Sequence, residues 1–174
     1  GDICIAIINA SNNCYNSIKP FLDIPNDKEG QLHHVLIYYE FIYFFMHMTN
    51  RVAFSEMNTL QHRKLQDFIG PIIASTAIET FSSHWPDELK SRMISEFYEN
   101  LNTAELQYSE SKELWSEGKP FSGNSLFLML ARNVTRETAN NENPVTLMTV
   151  LNVSVTEFSK MKLTKLIQIA SNNL

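Results

Sequence analysis

The chain has 174 residues, of which 44% are hydrophobic, and a formal net charge of −5 at pH 7. This length suits a single domain with a substantial core, so we predict one domain over residues 1–174. The acidic balance argues against a nucleic-acid-binding surface, which is normally basic. The two cysteines, Cys4 and Cys14, lack the spacing of a disulfide framework or a zinc site, and free thiols favour the cytoplasm.

Helical periodicity dominates the first half of the chain, and strand signals are few. A first helix is predicted over residues 2–21 and a second over about 28–55, separated by the Ile24–Asp27 break. Asn58 and Gln61 have the spacing of a capping box, which predicts that a third helix begins near Thr59. Proline removes a helical hydrogen bond, so we expect a kink or a break at Gly70-Pro71.

Capping signals also mark where the predicted helices begin in the second half of the chain. The predicted features, in chain order, are a helix from Trp85-Pro86 to about Trp115, a helix capped by Ser122 with the apolar run Leu126–Ala131, a helix capped by Asn143-Pro144, and a last segment Leu163–Ala170. The last segment either continues the preceding helix or forms a seventh. The chain is therefore predicted to be an all-α, single-domain bundle of six or seven helices.

The second helix is the most informative element. Its run from Val35 to Met48 is apolar almost everywhere, yet it contains Glu40 and His47. A helix that is apolar on all sides belongs in a protein centre or a membrane. The uninterrupted apolar run is about half of the ~20 residues that a spanning helix needs, so we predict a buried central helix and no membrane association.

Polar residues of this helix share one face when the sequence is placed on a helical wheel. Its members are His33, Glu40, His47 and Arg51, which fall within roughly 40° of one another and are flanked by Tyr43 and Asn50. Glu40 and His47 lie roughly 10 Å apart along the axis, so each needs partners from other helices. Glu79, in an apolar part of the third helix, is the expected partner; Arg92, Arg132 and Arg136 are the cationic options for Glu40.

Three interpretations of this face remain open. It is a buried network that satisfies polar groups and fixes helix register, or it lines a ligand or catalytic pocket, or it binds a metal. Di-metal helical bundles use Glu-x-x-His motifs on two helices, and the chain contains none. No phosphate loop, nucleophile elbow or zinc-protease motif occurs either, so we predict no metal and no cofactor.

The segment Glu40-Phe-Ile-Tyr-Phe-Phe-Met-His47-Met-Thr-Asn-Arg51 resembles a recurring helix in uncharacterised bacterial all-helical proteins, which read E-F-x-Y-F-F-x-H-x-T-[DN]-R. The likeness covers about a tenth of the chain. It carries over Glu40, His47, Thr49 and Arg51, while Asn50 stands where those proteins often have Asp. The resemblance implies an all-helical fold rather than an activity.

The sequence thus predicts a cytoplasmic, non-catalytic binding or interaction module that acts on itself or on another protein. The apolar faces of the fifth and sixth helices are the expected dimer surface. The alternative is a pocket for a small apolar ligand between the second, third and fourth helices, with Glu40 and His47 as polar anchors. A third interpretation is an enzyme in which Glu40 or His47 is the general base. The candidate ligand-binding residues are Glu40, His47, Asn50, Arg51, Glu79 and Tyr43.

Overall fold

The computed structural model describes residues 1–82, 86–111, 125–138 and 143–173. In these ranges the protein is all-α, as predicted, with seven α-helices packed into one bundle and no strand. The helices are α1 (Asp2–Ile18), α2 (Lys28–Glu56), α3 (Thr59–Ser82), α4 (Asp87–Ser109), α5 (Leu126–Arg136), α6 (Pro144–Met161) and α7 (Leu163–Ser171), and a short 3-10 helix, Lys19–Phe21, follows α1.

The central position of α2 is confirmed. This helix packs against α1, α3, α4, α5 and α7. From Ile37 to Thr49 every side chain is buried except that of Glu40, which is partly buried, and this explains why the sequence is apolar around the whole helix. Among the helices that the structure describes, none is long and apolar enough to cross a membrane.

Two local capping signals are confirmed. The backbone N–H of Gln61 donates to Asn58 Oδ1 at 3.0 Å, and that of Asn58 donates to Gln61 Oε1 at 3.2 Å, so the capping box at the start of α3 is complete. At the start of α6, Asn143 Oδ1 accepts from the backbone N–H of Val145 at 2.9 Å.

Other predicted boundaries need correction. Of the kink or break predicted at Gly70-Pro71, the break does not occur, because α3 continues through Pro71. The cap of α5 is Ser125, whose hydroxyl accepts from the Leu128 N–H at 3.3 Å; the predicted cap, Ser122, lies outside the described residues. α4 begins at Asp87 and ends at Ser109, while Trp85 and Trp115 lie outside the described residues. Lys162, with a φ of 50°, separates α6 from α7, so the last segment is a seventh helix.

The predicted dimer surface is mostly used inside the bundle. Leu126, Phe127, Leu130 and Val134 of α5 are all buried in the core. α6 leaves only part of its apolar surface exposed, chiefly at Val145 and Met148. Self-association stays a prediction, but α5 has little apolar surface to contribute to it.

Candidate functional site

The four residues of the predicted polar face, His33, Glu40, His47 and Arg51, lie along one seam, where α2 meets α4 and α5. Each has a partner across that seam: Glu137 for His33, Tyr108 and Asn133 for Glu40, Glu105 for His47, and the Ser111 carbonyl for Arg51. The predicted shared face is therefore present. We call this row of contacts the polar seam.

His47 forms the most enclosed contact of the polar seam. Its Nδ1 lies 2.7 Å from Glu105 Oε2, and the side chains are 5% and 29% exposed, respectively. A carboxylate only accepts hydrogen bonds, so Nδ1 carries the proton and donates. The ring centroid also lies 5.5 Å from that of Tyr108, and in the described part of the chain its buried Nε2 has no hydrogen-bond partner.

Glu40 is surrounded by neutral donors instead. Its Oε2 accepts from the Tyr108 hydroxyl at 3.1 Å and from Asn133 Nδ2 at 3.4 Å. Asn133 is in turn held by Gln107, with two amide contacts of 3.2 Å. None of the described ion pairs includes Glu40, so its charge has no direct counterion there.

The surroundings of Glu40 disfavour its ionised form. Burial raises the pKa of this carboxyl above its usual value, and nearby Glu137 raises it further. The hydrogen bonds from Tyr108 and Asn133 and the more distant charge of Arg136 oppose this rise without cancelling it. Glu40 therefore holds its proton to higher pH than an exposed glutamate does.

A small pocket of about 200 Å³ opens beside Glu40, between α2 and α4. Most of its lining is polar and includes Glu40, Tyr43, Asn100, Gln107 and Glu137. His47 does not line it. The pocket therefore adjoins one of the two central polar residues of the seam and leaves the other enclosed.

Tyr43 has an unmet hydrogen-bonding group at this pocket. The residue is 4% exposed, and its buried hydroxyl has no hydrogen-bond partner among the described residues. Burial and then the neighbouring Glu40 carboxyl raise the pKa of this hydroxyl, which keeps its proton at neutral pH. Asn100 lies close enough to oppose that rise without completing a hydrogen bond of normal geometry. Buried hydroxyl groups normally have a partner, so this one is a position where a ligand can bind.

Two of the candidate residues lie elsewhere. Asn50 Oδ1 accepts from Gln66 Nε2 at 3.1 Å and contacts His62 Nε2 at 2.5 Å, so it joins α2 to α3 rather than to the seam. Glu79 was expected to be the partner of the polar face, and this is wrong: it is exposed on α3, and its neighbours Ala77 and Ile78 make the core contact instead.

The residues that complete the seam were not predicted. Glu105 and Tyr108 are one turn apart on α4 and so reach the same side of α2. Asn133 is the single amide of α5, lies two residues after the apolar run Leu126–Ala131, and is 7% exposed. That lone amide was the one sequence signal that could have indicated a buried polar partner.

Neither a metal nor a relative identifies this site. In the described part of the chain no three His, Cys, Asp or Glu side chains are grouped so that they could hold a metal ion. Comparison with known family models, with curated proteins and with solved structures gives no match. The chemistry of the seam therefore has to be argued from its own residues.

Proposed function

We propose that this protein is a binding module whose pocket beside Glu40 holds a small organic cation that also carries an oxygen acceptor. The observation that carries the proposal is the buried, unpartnered hydroxyl of Tyr43 beside a carboxyl that has only neutral partners. The cation would pair with Glu40, and its oxygen would accept from Tyr43.

Charge supports a cationic ligand. Glu40 and Glu137 both line the pocket, and no Lys or Arg is among its described lining residues. A ligand ammonium between them would form charge-assisted hydrogen bonds, which are stronger than neutral ones. It would also replace the solvation that Glu40 loses on burial.

The size and polarity of the pocket favour a polar ligand over the apolar one that the sequence predicted. A volume of about 200 Å³ is smaller than most ligand pockets, whose range is about 300–1,000 Å³. It suits a molecule of a few non-hydrogen atoms. An apolar molecule would leave the Tyr43 hydroxyl unpaired and Glu40 without a partner of opposite charge.

Ethanolamine is a suitable probe because it combines an ammonium with a hydroxyl at this scale. Isothermal titration should show saturable binding in about the millimolar range, which is consistent with the low affinity available to very small ligands. Affinity should rise between about pH 5 and about pH 8, because binding a cation favours the ionised form of Glu40. Ethylamine, which lacks the hydroxyl, should bind more weakly.

Variants separate the two contacts. Glu40→Gln should weaken ethanolamine binding about tenfold or more, whereas Tyr43→Phe should weaken it several-fold and remove the preference over ethylamine. Tyr98→Phe is the matched control, since Tyr98 does not line the pocket. Absence of saturable binding, or equal affinity in the Glu40→Gln variant, would contradict the proposal.

A further inference from the structure

A second and larger cleft lies on the other side of the amino-terminal half of α2. It has a volume of about 600 Å³, within the usual range for small-molecule sites. It is bounded by α1, the start of α2, the end of α3 and α4. None of its lining residues belongs to the Glu40 pocket, so the two sites are separate.

The wall of this cleft is apolar and aromatic. Tyr15 and Phe81 meet edge to face with their ring centroids 5.9 Å apart, and Val35 and Met93 extend the same surface. Tyr15 is only 7% exposed, which fixes its ring against the core. This wall offers a ready contact for an apolar body.

The charge of the lining is opposite to that of the protein. Lys19 and Lys28 border the cleft, and no acidic residue is among its described lining residues, although the chain as a whole has a net charge of −5. Neither lysine takes part in a described ion pair. Lys19 Nζ lies 5.9 Å from the centroid of the Tyr15 ring, so a cation stands directly beside the aromatic wall.

His34 also lines this cleft. Its Nδ1 is buried without a hydrogen-bond partner among the described residues, and its ring centroid lies 6.0 Å from that of Tyr15. Burial, followed by the charges of Lys19 and His33, lowers the pKa of this imidazole, so the ring is neutral at pH 7. Either tautomer leaves Nδ1 in need of a partner.

From these observations we infer that the cleft binds an amphipathic monocarboxylate. The apolar body packs on Tyr15 and Phe81, and the carboxylate lies between Lys19 and Lys28. The aromatic wall and two lysines without an ion pair among the described residues line one cleft, and an amphipathic acid matches both features.

Phenylacetate and octanoate are the probes, and phenylacetamide is the neutral control of the same shape. On titration into the full chain, either acid should bind saturably, with chemical-shift changes at the Met93 methyl group and the His34 ring. The methyl group of Met161, which does not line the cleft, should not respond. Phenylacetamide should bind at least about fivefold more weakly than phenylacetate, because it lacks the charge.

Lysine variants test the charge contacts without endangering the fold, because both side chains are exposed. Lys19→Gln and Lys28→Gln should each weaken binding of phenylacetate about fivefold, whereas Lys165→Gln, with the same change in net charge, should not. The proposal is overturned if neither acid binds saturably, if phenylacetamide binds as well as phenylacetate, or if Lys165→Gln weakens binding as much as the cleft variants do.

Discussion

Glu40 and His47 lie seven residues apart on the same face of α2, yet their surroundings differ in kind. His47 contacts a carboxylate, Glu105, at 2.7 Å and is enclosed. Among the described residues, Glu40 hydrogen-bonds to a hydroxyl and an amide, and it borders a pocket. The helix therefore carries one polar residue that is hydrogen-bonded to a carboxylate inside the protein and one carboxyl group that has no counterion among the described residues.

This difference indicates how the two residues divide structural and binding roles. A close, enclosed hydrogen bond such as that between His47 and Glu105 fixes the packing of two helices, and its loss leaves a buried polar group without that partner. Neutral partners hold a carboxyl in place while leaving its ionised form disfavoured, so a cationic ligand can still add interaction energy. The following substitutions test this division, beginning with the largest expected effect.

His47→Ala should be the most destabilising change in the polar seam. It removes a side chain that is 5% exposed, its contact with Glu105 and its packing on Tyr108. We expect the free energy of unfolding to fall by about 2–4 kcal/mol, because the variant loses buried packing and leaves Glu105 without this hydrogen bond. Urea denaturation monitored by circular dichroism measures this loss in the free energy of unfolding.

Glu105→Gln is the matched variant for that contact. The amide oxygen can still accept from His47 Nδ1, so the loss should be about 1 kcal/mol. A loss below about 0.5 kcal/mol for His47→Ala would show that this contact does not stabilise the bundle.

Tyr108→Phe should have the next largest effect. Tyr108 is fully buried, and its hydroxyl donates to Glu40 and lies 3.4 Å from Asn133 Nδ2. Its removal should lower the free energy of unfolding by about 1–2 kcal/mol, since Glu40 loses a buried hydrogen bond. Tyr98→Phe, at a half-buried position on the same helix, should stay within about 0.5 kcal/mol of the parent. Equal losses in the two variants would contradict the assigned role of the hydroxyl.

Glu40→Gln should change how stability depends on pH more than it changes stability itself. Burial raises the folded-state pKa of Glu40 above its unfolded value, so the stabilising contribution is present at low pH and is lost as pH rises through the folded-state pKa. At about pH 4 the variant and the parent should unfold with similar free energies. By about pH 8 the variant should be the more stable, by more than ~0.5 kcal/mol.

Parallel denaturation curves of the two proteins across this pH range give the measurement. If the difference in the free energy of unfolding between the variant and the parent stays constant with pH, Glu40 titrates as an exposed glutamate does. A parent that becomes the more stable protein at high pH would mean that the carboxylate has a counterion after all.

Features set by neighbouring residues could be predicted from the sequence, and contacts between distant helices could not. The Asn58 capping box depends on three-residue spacing, and the shared face of His33, Glu40 and His47 depends on helical periodicity alone. The partner of that face depends on which helix packs against it. Glu79 follows the buried Ala77 and Ile78, but the next step around the helix turns it to solvent.

The absence of a helix break at Pro71 shows a second limit of prediction from the sequence. Proline removes the hydrogen bond to the carbonyl of Asp67, but Asp67 is exposed, so water can solvate that carbonyl. The buried residues Ile69, Ile73 and Ala74 hold α3 against the core on both sides of the proline. Tertiary packing therefore outweighs a local signal that is sound by itself.

His33→Ala should have the smallest effect, because the seam reaches solvent at this end. His33 Nδ1 lies 3.2 Å from Glu137 Oε2, and the side chains are 37% and 31% exposed, respectively. Exposed ion pairs contribute little, so the free energy of unfolding should change by less than about 0.5 kcal/mol. Urea denaturation of this variant and of His47→Ala gives the comparison directly. Both histidines lie on one face of α2 and contact a glutamate, but only the His47 contact is enclosed. The two losses in the free energy of unfolding should therefore differ severalfold. Similar losses at both positions would show that burial does not set the strength of contacts along the seam.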